Sequence, residues 1–199
     1  MTMKHNTILI FLLLIFIAAP SVCATEVTPR NAQELTQLAQ RLFHGRCISV
    51  KEHFQPNSIS YTEYTFEVLT PVKGVSQKTI TFKQFGLINP VQLKNDLLFL
   101  GKVSGMPVYQ KGKEYLLFLM GDSKLGLTSP AGLFQGSFNI LNTGDGEKRA
   151  LNSLGNKGLF KNIQSEDQTL LKKVQKNENT GGQVTLNEFM DLIRSFINE

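Results

Sequence analysis

The segment Ile59–Leu69 (ISYTEYTFEVL) constrains the fold most, because it alternates polar and apolar residues and is rich in β-branched and aromatic side chains. Tyr64, Phe66 and Val68 fall on one face of the predicted strand, and its other face carries Glu63, Thr65 and Glu67. A strand of this pattern belongs to a sheet with one covered face. The sequence therefore predicts a mainly β protein.

Other segments of the chain also have strand patterns, and glycine-containing turns separate several of them. They are Cys47–Phe54, Lys78–Phe85, Glu114–Met120, Leu125–Thr128, Ser137–Leu141 and Glu147–Leu151. Glu114–Met120 is nearly all apolar, which predicts a central strand buried on both faces. Pro71 is predicted to end the strand that begins at Ile59. Short strands joined by such turns favour a small closed barrel.

Two amphipathic helices are predicted to flank the strands. Asn31 and Glu34 have the spacing of a helix cap, and the helical spacing of leucines predicts a helix over Asn31–His44 that ends at Gly45. Near the other terminus, Thr185 and Glu188 form a capping-box pattern ahead of an apolar stripe made of Leu186, Phe189, Met190, Ile193, Phe196 and Ile197. The predicted class is α+β: an OB-like or netrin-like barrel with an N-terminal and a C-terminal helix.

The first 24 residues have the layout of a secretory signal peptide. The uncharged run Ile8–Ala19 ends at Pro20, and Val22-Cys23-Ala24 supplies the cleavage positions. We expect cleavage near Ala24 and a secreted or periplasmic protein. Lipidation of Cys23 is a disfavoured alternative, since valine precedes that cysteine. An uncleaved anchor is disfavoured further, because a spanning helix needs about 20 apolar residues.

The rest of the chain is predicted to form three parts. Residues 25–154 form the barrel with its N-terminal helix, residues 155–184 form a polar linker, and residues 185–199 form the C-terminal helix. The linker is predicted from a composition rich in Lys, Asn and Gln. Residues 86–108 do not fit a minimal barrel, and they are either an insertion with one short strand or a loop that closes over a surface.

Charge and cysteine content exclude some classes of protein. After cleavage 20 basic and 16 acidic residues remain, a net charge of +4. The basic residues are dispersed, which argues against a nucleic-acid partner and favours a mild attraction to anionic partners or envelope lipids. Only Cys47 remains, so no intramolecular disulfide forms. We expect Cys47 to be a small buried apolar residue, a reactive thiol being the alternative.

No metal or cofactor site is predicted. The candidate metal ligands in the cleaved chain are His44, Cys47 and His53. His44 would end a helix while Cys47 lies in the next strand, so a shared site is geometrically awkward. The glycines of Gly132–Gly136 lack the lysine and the helix pattern of a phosphate loop, and they predict a bend between strands.

No catalytic residue is predicted either. Cys47 and His53 would lie roughly 20 Å apart along a strand, which is too far for a nucleophile and its base. Ser129 is not part of a G-x-S-x-G elbow. Glu63 and Glu67 fall on the face of a strand that is expected to meet solvent.

Three blocks of sequence resemble a family of secreted bacterial proteins without an assigned activity. The blocks are Tyr61–Val68 with Val72-Lys73-Gly74, then Gly105–Leu119, then Gly132–Phe138. The match covers roughly residues 28–154 and the C-terminal helix. The order and spacing of the three blocks carry more weight than any one block. The chain departs from the family pattern at residues 85–100, where a Gly-Gly-rich loop is expected.

The chain is more distantly similar to netrin-like modules and tissue inhibitors of metalloproteases. Tyr64–Val68, Lys73-Gly74 and Gly112–Leu116 carry this similarity, which implies a five-stranded barrel. Those inhibitors place an N-terminal cysteine on the zinc ion of their target. Cleavage after Ala24 leaves no such cysteine here, so the resemblance does not extend to that mechanism.

Together these features predict a secreted, non-enzymatic binding or protein-interaction module of the bacterial cell envelope or exterior. A protein partner is expected, and a secreted protease is one candidate. Two alternatives stay open: an envelope hydrolase that uses residues of the 86–108 segment, with Ser104 and Ser129 as the serines to test, and a component of surface adhesion or assembly.

Overall fold

The computed structural model describes residues 28–94, 97–144, 146–164, 169, 171–174 and 182–198. The predicted signal peptide lies outside these residues. The described elements are α1 (Ala32–Leu38), β1 (Arg41–His53), β2 (Tyr61–Lys73), β3 (Thr79–Phe85), β4 (Val91–Gln92), β5 (Leu98–Phe99), β6 (Glu114–Leu119), β7 (Ser137–Asn142), β8 (Lys148–Asn152), β9 (Val184–Thr185) and α2 (Leu186–Asn198). None of the described helices is long and apolar enough to cross a membrane.

The described strands form one large antiparallel sheet and one small one. The large sheet has seven strands in the order β3-β2-β1-β6-β7-β8-β9, and the small sheet pairs β4 with β5. The prediction of a mainly β protein with flanking helices is confirmed. Since β3 and β9 stand at opposite ends of the order, the large sheet is open, and the closed barrel is not confirmed.

The sheet is buried on both faces at its centre, as the apolar pattern of β6 predicts. Leu116 and Phe118 of β6 face the helices, while Leu117 and Leu119 face the other way. The core on the helix side includes Leu35, Leu42, Phe138, Phe160, Phe189, Leu192 and Ile193. The core on the opposite side is mostly aromatic and includes Phe43, Tyr64, Phe66, Phe82, Tyr109 and Tyr115.

The N-terminal helix is shorter than predicted. The Asn31–Glu34 capping box is present, since each residue accepts a hydrogen bond from the backbone N–H of the other. The helix nevertheless ends at Leu38, and Arg41–Arg46 pair with Leu119–Glu114 of β6. The prediction was too long because Leu42 falls at helical spacing from Leu35. Leu42 is buried in the same core as Leu35, but Leu42 lies on β1.

Gly45 is a strand residue and not a helix end. A Cβ atom there would lie 2.7 Å from the Glu67 carbonyl oxygen and 2.9 Å from the Phe43 ring. The strand pairing shifts register between His44 and Gly45. The glycine therefore allows the close approach that a bulged strand needs.

Two further strand predictions are corrected. Pro71 does not end β2, which continues to Lys73 and pairs through Pro71 with Phe43. The β2–β3 pairing reaches only to Glu67, so among the described strands β1 alone lies beside Pro71. The proline therefore occupies an edge position, where a missing backbone N–H is tolerated. Leu125–Thr128 is not a strand; its contact with the large sheet is an isolated bridge between Lys83 and Leu127.

The C-terminal helix follows its predicted cap and packs on the sheet. The Thr185 hydroxyl donates to the Glu188 carboxylate at 2.7 Å, and the Glu188 N–H donates to the Thr185 hydroxyl oxygen at 3.4 Å. Phe189 and Ile193 are fully buried. The predicted linker range also contributes buried apolar side chains to this core, namely Leu159, Phe160, Ile163, Leu171 and Val174.

Cys47 is buried in the aromatic core, as predicted, and burial raises the pKa of its thiol to about 11. Because the thiolate is the reactive form, we expect no rapid labelling of the native protein by a thiol reagent near neutral pH. Full labelling should appear only in denaturant. Rapid native labelling, or a disulfide-linked dimer, would contradict this burial.

Candidate functional site

A groove runs along the face of β6–β8 that points away from the helices. Its main part has a volume of about 570 Å³, and an adjoining recess has a volume of about 270 Å³. The two share Val108, Tyr115, Asn139 and Ser153. The lining mixes amides, hydroxyls and apolar surface, with further contributions from Gln110, Lys113, Ser137, Leu141 and Leu151. We call this feature the β6–β8 groove.

The wall of the groove is the segment 107–113, which hydrogen bonds from backbone and side-chain groups fix to the sheet. The Gln84 amide donates to the Pro107 carbonyl at 2.7 Å, and the Gln110 N–H donates to the Tyr115 hydroxyl at 2.9 Å. The Cys47 N–H donates to the Lys113 carbonyl at 2.9 Å. A wall held at both ends gives the groove a preformed shape, which favours binding because little ordering is required.

Glu114, at the edge of the groove, is the centre of a charge cluster. Its carboxylate lies 2.9 Å from His44 Nε2, 3.0 Å from an Arg46 guanidinium nitrogen and 2.7 Å from Lys148 Nζ. We call these four residues the Glu114 cluster. The Glu114 side chain is 14% exposed, whereas the Arg46 and Lys148 side chains reach solvent.

The cluster keeps Glu114 ionised. Burial on its own would raise the pKa of Glu114, but the hydrogen bonds from Lys148, Arg46 and His44 outweigh it and lower the pKa to about 2. Burial lowers the pKa of His44, and the bond to Glu114 opposes that effect. A carboxylate that holds no proton at neutral pH and already pairs with three partners is a poor general acid or base.

A second surface feature is the segment 86–104, which we call the apolar hairpin. It contains β4 and β5 and exposes Leu97, Leu98, Phe99 and Leu100. The Glu52 carboxylate accepts hydrogen bonds from the backbone N–H groups of Ile88 and Asn89, at 2.6 and 2.9 Å. A recess of about 460 Å³ lies at its base, lined by Ile88, Asn89, Pro90, Leu100, Gly101, Lys102 and Ser104.

The structure separates the candidate metal ligands. His44 belongs to the Glu114 cluster and lies on β1, not at a helix end as predicted. Cys47 donates weakly to the Ser49 carbonyl, and the His53 ring stacks on Tyr61 with centroids 4.6 Å apart. Within the described part of the chain no three His, Cys, Asp or Glu side chains are grouped to hold a metal ion.

The structure also separates the candidate catalytic groups. Ser104 lines the recess under the apolar hairpin, while Ser129 contributes its carbonyl to a backbone hydrogen bond from Met120. Both described histidines are engaged elsewhere, with Glu114 and Tyr61. Glu67 pairs with Arg46 at 3.4 Å, on a strand that presents it to solvent.

The Gly132–Gly136 segment forms a tight turn between β6 and β7, with a short 3-10 helix over Leu133–Gly136. Gly132 and Leu133 both have positive φ, 62° and 58°. The Gln135 side chain ties the start of the described chain to this turn, because it accepts from the Arg30 N–H at 2.8 Å and donates to the Thr28 carbonyl at 3.1 Å. The predicted bend between strands is confirmed.

Sequence reasoning missed both the groove and the Glu114 cluster. The available signal was Glu114 itself, a carboxylate at the head of an otherwise apolar strand. Comparison with known proteins adds no assignment for either feature: no protein-family model, no curated protein and no solved structure matches the chain.

Proposed function

We propose that the protein is a secreted, non-enzymatic binding module of the bacterial cell envelope or exterior, and that the β6–β8 groove receives an extended segment of a partner protein. Its amide and hydroxyl side chains suit the N–H and C=O groups of a peptide backbone. Asn139, Gln110 and Ser153 supply these polar groups, and Val108 with Tyr115 supplies apolar surface. A secreted protease is one candidate for this partner.

The state of Glu114 is the observation that carries this proposal. It is the groove's only carboxylate among the described lining residues, and its pKa of about 2 leaves it without a proton to give. A hydrolase would need a base beside a nucleophile. The neighbourhood of Glu114 instead resembles a structural ion cluster that sets the shape of the groove edge.

We also propose that the strands around the aromatic core approach a closed barrel. Three contacts of the segment 127–131 support this. The Thr128 N–H donates to the Lys83 carbonyl of β3 at 2.8 Å, while the Met120 N–H donates to the Ser129 carbonyl at 2.9 Å and the Ala131 N–H to the Phe118 carbonyl at 2.7 Å. The segment would then bridge β3 to β6, in keeping with the netrin-like resemblance.

Capture of partners from envelope extract, compared between variants, tests the binding function. Asn139→Arg places a long charged side chain in the groove, and Asn57→Arg makes the same change in the exposed turn after β1. We expect the wild type and Asn57→Arg to recover one stoichiometric protein that Asn139→Arg does not recover. Equal recovery by all three would contradict a binding role for the groove.

A hydrolase screen tests the alternative directly. We expect no turnover of peptide, ester or glycoside substrates by the wild-type protein. Turnover that disappears in Ser104→Ala or Ser129→Ala would establish the enzyme and overturn the binding proposal.

Export should leave a mature protein that begins at Thr25, because Val22-Cys23-Ala24 has the pattern of a cleavage site. The intact mass of the exported protein, or its N-terminal sequence, checks this. A mass that includes diacylglycerol on Cys23 would show a lipoprotein instead.

A further inference from the structure

The second half of the apolar hairpin, which includes β5, carries four consecutive exposed apolar residues. Leu97 is 63% exposed, Leu98 58%, Phe99 38% and Leu100 71%. Successive side chains of an extended segment point to opposite faces, so this segment is apolar on both. A protein that packs against one face of the run would cover only alternate side chains and leave the others in water. Lipid surrounds an inserted segment on all sides, so a run that is apolar on both faces favours lipid.

Lysines flank the apolar run in the sequence and in the structure. Lys94 precedes it and Lys102 follows it, and both are exposed. With Asp96 between them in the sequence, this stretch carries a net charge of +1, within a chain whose net charge is +5. Lysine can lay its aliphatic stem along apolar surface while its amine stays among polar headgroups. The charge therefore complements an anionic surface.

Several backbone groups of the hairpin form hydrogen bonds within it. Val91 pairs with Phe99 and Gln92 with Leu98. The Leu93 N–H donates to the Leu97 carbonyl at 2.7 Å. At the other end, the Leu87 N–H donates to the Gly101 carbonyl at 2.9 Å. These bonds pair the groups between the two strands and leave the outer edges of the small sheet open, which suits the hydrated headgroup boundary and not the hydrocarbon layer.

The hairpin is also held firmly to the body of the protein. The Glu52 carboxylate accepts three hydrogen bonds from Ile88 and Asn89, and the Phe99 ring packs against Phe54 with centroids 5.3 Å apart. The Thr62 hydroxyl donates to the Gly86 carbonyl at 2.8 Å. The apolar run Leu97–Leu100 is therefore carried on a fixed base, and little ordering is needed when it meets a surface.

We propose that the apolar hairpin docks the protein on the surface of an anionic lipid bilayer. The run Leu97–Leu100 enters the headgroup boundary while Lys94 and Lys102 contact lipid phosphates. A four-residue run extends roughly 13 Å, which suits insertion at the interface and not a span. The described residues that line this surface and the β6–β8 groove do not overlap.

Co-sedimentation of the exported protein with lipid vesicles tests the proposal. The two vesicle types are pure phosphatidylcholine and an equal mixture of phosphatidylcholine with phosphatidylglycerol. We expect binding to the anionic vesicles at about 0.1 M salt, and a marked loss at about 0.5 M salt as the charges are screened. Binding to the neutral vesicles should be weaker at both salt concentrations.

Two pairs of variants separate the apolar and the charged contributions. Leu97→Asn with Leu100→Asn should weaken binding by more than about tenfold, since the inserted apolar surface is lost. Lys94→Gln with Lys102→Gln should weaken it by about fivefold per lysine at low salt only. All four side chains are exposed, so folding should not suffer. Leu125→Asn and Lys124→Gln change another exposed Leu–Lys pair and should alter binding by less than about twofold.

Three results would overturn the proposal. One is no sedimentation of the wild-type protein with either vesicle. Another is sedimentation that survives Leu97→Asn with Leu100→Asn. The third is a concentration-dependent dimer in the absence of vesicles that these two substitutions abolish, since the hairpin would then serve a second copy of the chain. Loss of vesicle binding would leave partner capture by the groove unchanged, so the two proposals fail separately.

Discussion

Replacing Phe189 with alanine is expected to lower the free energy of unfolding by about 3–5 kcal/mol. The ring is fully buried between the sheet and the 155–164 segment. Its centroid lies 5.1 Å from that of Phe138, 5.8 Å from that of Phe160 and 6.1 Å from that of Phe118. Alanine would leave a cavity among three aromatic rings that belong to separate segments. Chemical denaturation measures the change.

Ile197→Ala is the matched control on the same helix. Ile197 is 37% exposed near the helix end, so its truncation should cost less than about 1 kcal/mol. Removal of residues 185–199 should lower the melting temperature and promote aggregation, because the helix-side core would open to water. An unchanged unfolding free energy in Phe189→Ala would mean that the helix does not stabilise the fold.

Glu114→Gln is expected to destabilise the protein by about 2–3 kcal/mol at neutral pH, because it removes a buried charge from three partners. The folded pKa of about 2 lies below the ordinary value of 4.5. The stabilisation by the carboxylate is therefore complete above about pH 4.5 and is lost as the pH falls towards 2. The difference between the wild type and Glu114→Gln should shrink over that window.

Glu67→Gln provides the control for this prediction. Glu67 also pairs with Arg46, at 3.4 Å, but its side chain is half exposed, and such pairs contribute little. We expect a change below about 0.5 kcal/mol at every pH. If Glu114→Gln unfolds with the same pH dependence as the wild type, the cluster does not hold the carboxylate ionised as described.

The sequence predicts those elements whose signals are local. Alternation predicted β2 and β3, the unbroken apolar run predicted a central β6, and the Thr185 cap with its apolar stripe predicted the C-terminal helix. The first helix was predicted to be longer than it is, because a leucine at helical spacing can equally belong to a strand that is buried in the same core. Leu42 is such a residue, since it shares a core with Leu35 while it pairs with Phe118.

The candidate site was beyond prediction from the sequence, because distant residues form it. His44 and Glu114 stand 70 positions apart, and Glu114 and Lys148 stand 34 apart. Antiparallel pairing of β1, β6, β7 and β8 brings them together, and local sequence patterns do not encode the order of strands in the sheet. The groove arises because the face of β7 and β8 opposite the helices is left open, which only the assembled sheet reveals.

Site-specific photocrosslinking tests the binding groove most directly. A photoreactive residue at position 139 lies inside the groove, and one at position 57 lies in the turn after β1. In cells that export the protein, position 139 should give one discrete adduct with another protein, while position 57 should not. No adduct at position 139, or the same adducts from both positions, would contradict the account of the β6–β8 groove as a partner-binding site.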